Sequence, residues 1–166
     1  MTIDDFDIIV STTDSPLSTE RRQRLTQYFT HAGITRYSFD EEPVCTSCPF
    51  PQWCAGWYGA GLHFANILKR AENRNIIYFE DDAILLPDFS KQLKRHLALL
   101  PNDWQIFVAG YTGIIDSSMV SENIVTASEF YGAQCIVIRN EGCRIKLADA
   151  VVNHDLYKHA IGFDGA

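Results

Sequence analysis

Asn75-Ile76-Ile77-Tyr78-Phe79-Glu80-Asp81-Asp82-Ala83-Ile84-Leu85 is the stretch from which the rest of the chain is read. Its run of β-branched and aromatic side chains predicts a buried strand, and three consecutive carboxylates stand where that strand should end. Ligands of open α/β sheets collect just outside the carboxyl ends of the strands. Glu80, Asp81 and Asp82 are therefore placed to meet a phosphate-bearing substrate and its divalent cation. The plainer alternative has one acid capping a turn and the others solvated.

Working upstream, residues 6–10 read as a first buried strand through Ile8, Ile9 and Val10, followed by the polar loop Ser11-Thr12-Thr13-Asp14-Ser15-Pro16. Ser18 or Thr19 is the expected helix cap, Leu25, Tyr28 and Phe29 form an apolar stripe, and Gly33 closes the helix. Residues 35–39 alternate as a second strand ending in Asp40-Glu41-Glu42-Pro43, which completes a βαβ unit. Cys45, Cys48 and Cys54 lie in an irregular, proline-containing segment, after which residues 56–71 turn helical.

Downstream, Pro87-Asp88 starts a helix with Phe89, Leu93, Leu97 and Leu100 on one face. Residues 104–109 predict another central strand with a loop at 110–113. Residues 124–127 and 131–138 predict two more strands, and residues 140–152 a last helix. The tail from 153 to 166 is polar and carries His154, Asp155, His159 and Asp164. Alternating strands and helices imply an α/β fold, a mostly parallel sheet flanked by helices. The later paired strands add a small antiparallel part.

A chain of 166 residues has the size of one domain, and 46% hydrophobic against 21% charged residues is a globular balance. The formal charge of -7 makes nucleic acid the less natural partner, because sequence-independent affinity for it needs clustered Lys and Arg. Arg21, Arg22 and Arg24, and then Lys91, Lys94 and Arg95, fall in helical stretches and read as solvated faces. No apolar run reaches the ~18 residues of a membrane span. Five cysteines, an odd number, fit a reduced compartment, so a cytoplasmic protein is expected.

Several short motifs, taken in order, narrow the reading. They are Leu62-His63 in a helix; Ile76-Ile77-Tyr78-Phe79-Glu80-Asp81-Asp82-Ala83; Gly132-Ala133-Gln134-Cys135-Ile136-Val137-Ile138-Arg139-Asn140-Glu141-Gly142; and Asn153-His154-Asp155-Leu156. Their order over residues 56–158 resembles that of family 25 glycosyltransferases and their lipopolysaccharide-biosynthesis relatives. Leu62 stands where that family has Ser, and Cys135 stands near its usual aromatic residue. The resemblance implies a GT-A-like (Rossmann-like) fold and a hexosyltransferase-like enzyme. Such an enzyme moves a sugar from a nucleotide-sugar donor to a hydroxyl-bearing acceptor, a saccharide in that family.

On that resemblance, Glu80 and Asp82 match an Asp-x-Asp spacing and are the expected ligands of Mn2+ or Mg2+, with His159 as a further one. Ser11, Thr12 and Thr13 correspond to a donor-binding loop, Asp40 to a nucleobase contact and Asp81 to a contact with donor hydroxyls. Asp155 matches the late Asp that would serve as base toward the acceptor hydroxyl, with Asp164 as a weaker rival. Simple turn capping is an equal alternative for Thr12 and Thr13. Two other classes stay open: a non-catalytic nucleotide-sugar-binding module, and an interaction domain stabilised by zinc on Cys45, Cys48 and Cys54 with His63 or Cys135.

Overall fold

A computed structural model describes residues 3–43, 55–71, 75–111, 113–121, 124–132 and 134–153. Strand β1 (Asp7–Thr13) alternates buried Ile8, Val10 and Thr12 with half-buried neighbours. Helix α1 (Pro16–His31) follows, then β2 (Ser38–Glu42), α2 (Ala55–Arg70), β3 (Ile76–Glu80) and α3 (Phe89–Leu99). The chain continues with β4 (Ile106–Gly110), β5 (Gly113–Ser121), β6 (Ile124–Tyr131), β7 (Cys135–Ile138) and α4 (Glu141–Asn153).

The main sheet has the order β2-β1-β3-β7-β4, and β5 with β6 forms a separate two-stranded sheet. β1 is parallel to both β2 and β3, whereas β7 is antiparallel to β3 and to β4. Four of the five strands thus share one direction, with the reversed strand inside the sheet. Central strands β3 and β7 are buried on both faces, which is why they read as unbroken apolar runs.

The two-residue period of the strands splits the interior into two cores. Ile8, Val10, Ile77, Phe79 and Val137 pack with Leu25 and Phe29 of α1 and Leu93 and Leu97 of α3. Ile76, Tyr78, Ile136 and Ile138 pack on the opposite face with Ala65, Ile67 and Leu68 of α2 and Cys143 and Ala148 of α4. Buried Arg144 of α4 donates through Nη1 to the carbonyl of Leu68, joining α4 to the last turn of α2. Among the described residues, no helix is long and apolar enough to cross a membrane.

Several expected boundaries move. Ser11, Thr12 and Thr13 belong to β1 rather than to a loop, because they pair with Asp40, Glu41 and Glu42 of β2. β2 itself begins at Ser38, three residues later than its alternation suggested, and takes its acids into the strand. As an edge strand it can carry such charges. Helix α1 is capped by Ser15, whose hydroxyl accepts from the Ser18 amide at 3.2 Å, with Pro16 in the first turn where its missing N–H costs nothing. Gly33, at φ 70°, lies just beyond its end, as expected. The predicted strand 131–138 is broken: β6 ends at Tyr131, Gly132 turns at φ 67°, and β7 starts at Cys135. β5 occupies part of an expected loop and was not foreseen.

Candidate functional site at the carboxyl edge of the parallel strands

The registers of β1, β2 and β3 fix a polar row. Ser11 pairs with Asp40 on one side and with Glu80 on the other, so these three side chains leave the same face of the sheet, toward α2. His63 comes down from α2 onto this row. Its Nδ1 lies 3.0 Å from Ser11 Oγ and its Nε2 lies 2.8 Å from Asp40 Oδ1. Arg70, two turns further along α2, donates to Asp40 at 2.8 Å and sits 3.6 Å from Glu42.

One residue on, the side chains leave the other face, toward α1. Thr12 Oγ1 donates to Asp81 Oδ2 at 2.8 Å, and Arg21 Nη1 donates to Asp81 Oδ1 at 3.2 Å. Arg21 also places Nη2 3.9 Å from Asp82, and Arg22 pairs with Glu41. Thr13 bonds the hydroxyls of Ser15 at 3.1 Å and Ser18 at 2.8 Å, tying the strand end to the first turn of α1. The Ala83 amide donates to the Glu80 carbonyl at 3.1 Å, so Asp81 and Asp82 form the two central positions of a tight turn.

The three acids of this turn therefore differ. Asp81 is buried and engaged through both oxygens by Thr12 and Arg21, whereas Asp82 is about half exposed, its side chain at 45%. Glu80 is half-buried and makes no side-chain hydrogen bond or ion pair among the described residues. Burial pushes its pKa up, the neighbouring Asp82 and then Asp81 push it further, and Arg21 opposes them. Beside it, burial foremost and then Glu80 hold the Tyr78 phenol protonated well above its usual range.

The raised Glu80 pKa has a consequence for stability. The folded state holds this proton more tightly than the unfolded chain, so stability is lost as pH rises from the ordinary carboxylate range through the raised value. Glu80→Gln removes the penalty. Its melting temperature in chelator should exceed that of the wild type at pH 7, with the difference closing below about pH 4. Equal melting temperatures at pH 7 contradict the assigned environment.

Among the predicted residues, Ser11, Thr12, Thr13, Asp40, Glu80, Asp81 and Asp82 all come to this one edge of the sheet. Asp155, His159, His154 and Asp164 lie outside the described residues, as do Cys45, Cys48 and Cys54. Arg21 and Arg22, expected on a solvated face, instead pair with Asp81 and Asp82 of the turn after β3 and with Glu41 of β2. Arg24, Lys91, Lys94 and Arg95 are exposed as expected. Cys135 packs in the core shared with Phe79, on the opposite face from His63, and burial pushes its thiol pKa up; it cannot join His63 at a zinc.

His63 itself had a readable signal. It precedes Ile67 by one helical turn on the inward stripe of α2, where a polar side chain needs partners. The donor atoms of His63, Asp40 and Glu42 lie within 4.8 Å of one another, the set of three with metal-ligand spacing among the described residues. A cavity of about 1100 Å3 lies elsewhere, between α3, β4 and the β5–β6 hairpin; Phe79, Phe89, Phe107 and Val125 line it, and Glu80, Asp81 and Asp82 do not.

The fold and this edge define an α/β protein with a carboxylate-rich site at the ends of its parallel strands. No protein-family model matches the chain, and no curated protein does. Among solved structures the chain is similar to a glycosyltransferase involved in the glycosylation of the major capsid of PBCV-1. The identity is 11% and the TM-score 0.46, with 96% of this chain and 76% of that one covered. A likeness at that level decides neither chemistry nor substrate.

Proposed function

We propose that this protein is a metal-dependent glycosyltransferase that takes a sugar from a nucleotide-sugar donor and passes it to a hydroxyl-bearing acceptor, a saccharide by the family 25 resemblance. The observation that carries the proposal is the half-buried Glu80, without a side-chain partner among the described residues, beside the exposed Asp82 at the carboxyl edge where β1 and β3 run parallel. Of the three acids at the turn, Asp81 and Asp82 share one guanidinium, that of Arg21, among the described ion pairs. Such a surplus of hard oxygen donors suits Mn2+ or Mg2+.

In this reading Glu80 and Asp82 hold the cation, with His159 as a further ligand. A divalent cation held there would supply Lewis-acid stabilisation of the leaving diphosphate. Asp81 serves indirectly: it holds Arg21 with its second Nη near Asp82, which adds fixed positive charge where the diphosphate charge develops. Ser11 and Thr13 face the donor from β1, and Asp155 takes the proton of the acceptor hydroxyl.

A thermal-shift screen of UDP-, GDP-, CMP- and dTDP-sugars, with and without Mn2+, tests the proposal, because a ligand that binds only the folded state raises its melting point. One donor should raise the midpoint in the presence of Mn2+ and lose most of that effect in chelator. No shift with any donor in Mn2+ overturns the proposal. A shift without any donor turnover identifies a binding module instead.

A further inference from the structure

We infer that Asp40, Glu42 and His63 form a second divalent-cation site, of the type that takes Zn2+, Co2+ or Mn2+ in preference to Mg2+ or Ca2+. Its argument is independent of the proposed donor site. Three observations converge. The donor atoms lie within 4.8 Å of one another, with Asp40 Oδ1 2.8 Å and Glu42 Oε1 4.0 Å from His63 Nε2. His63 is 4% exposed, so its ring is held by packing against the sheet rather than free in water. Its other nitrogen is engaged by Ser11 Oγ at 3.0 Å, the outer-shell contact that orients a ligating imidazole.

When Nδ1–H is donated to Ser11, the Nε2 lone pair faces two carboxylates, and only a proton or a cation can sit between them. Arg70 now supplies positive charge from outside, 2.8 Å from Asp40 and 3.6 Å from Glu42. Its side chain is 57% exposed, so it can withdraw when an ion enters. An imidazole nitrogen with two carboxylate oxygens is a mixed donor set that suits Zn2+, Co2+ and Mn2+; Mg2+ and Ca2+ favour oxygen alone.

The β2 registers explain why the acids are there. Asp40 and Glu42 are two apart, so both point toward α2, while Glu41 between them points to Arg22 on α1. Two acids on one face of an edge strand, with a buried imidazole over them, go beyond what shielding the edge requires.

Co2+ is the probe, added to the whole chain and read by proton NMR. Ligation through Nε2 should give an exchangeable imidazole N–H resonance shifted far outside the diamagnetic range, slow to exchange because Ser11 holds that proton. The resonance should vanish in His63→Gln and persist in Asp82→Asn, which separates this site from the donor site. Arg70→Gln should tighten Co2+ at least tenfold by removing a competing cation, and Glu42→Gln, at a half-exposed position where folding is safe, should weaken it at least tenfold. The inference is overturned if wild-type protein at saturating Co2+ lacks the resonance, or if Co2+ shows only the charge-transfer absorption of thiolate ligands. It is equally overturned if Arg70→Gln and Glu42→Gln leave the affinity unchanged, which would make the cluster an ion-pair network alone.

Discussion

Asp82→Ala is expected to lower sugar transfer by about 10^3-fold or more, equivalent to about 4 kcal/mol of transition-state stabilisation. Asp82 is the most exposed acid of the turn, its side chain about half exposed, and among the described ion pairs it has a 3.9 Å approach of Arg21. Its removal should leave the melting temperature in chelator nearly unchanged, while the Mn2+-dependent part of donor binding disappears. Asp81→Ala should instead lower the melting temperature as well, because Asp81 is buried and bonded by Thr12 and Arg21. An Asp82→Ala protein that transfers sugar at the wild-type rate removes Asp82 from the mechanism.

Phe79→Ala is the second large effect, and it is one of stability. Phe79 is 1% exposed on the central strand and packs edge-on against Phe29 of α1, with ring centroids 5.2 Å apart, and against Phe89 at 5.7 Å. The ring thus joins the sheet to α1 and to the segment that starts α3, directly before the acidic turn. Truncation of a buried aromatic costs about 3–5 kcal/mol, a large share of the ~5–15 kcal/mol that holds a domain folded. A thermal melt followed by circular dichroism should show the midpoint fall by about 6–20 °C for a chain of this size. A fall of less than about 2 °C means that the ring is not in the core.

How far the sequence could be read depended on burial. β3 was legible because both of its faces are buried, which leaves a continuous apolar run ending abruptly in acid. α1, α2 and α3 were legible from their apolar stripes, although the cap of α1 at Ser15 was masked by two better-looking candidates at Ser18 and Thr19. β2 was displaced because Asp40, Glu41 and Glu42 look like a loop, and only α2 and α1, far along the chain, supply the partners that let them form a strand. β5 was missed because Asp116, Ser117 and Ser118 interrupt its apolar residues, and it pairs only with β6, outside the main sheet.

The site was legible in its acids and not in its bases. Glu80, Asp81 and Asp82 follow from position at a strand end. The partners of Arg21, His63 and Arg70 depend on which helix face crosses the sheet, a property of tertiary packing; the inward stripe of α2 marks His63 as needing partners without naming them. Asp81 and Asp82 are neighbours in sequence and yet lead different lives, because one turns toward α1 and Thr12 and the other toward solvent.

Diffraction at the manganese edge from crystals grown with Mn2+ and the donor selected in the screen measures the central claim most directly. An anomalous peak bound by carboxylate oxygens of Glu80 and Asp82 and by the donor diphosphate is the predicted result. A donor bound with no peak at the acidic turn, and with Glu80 and Asp82 facing bulk solvent, contradicts it.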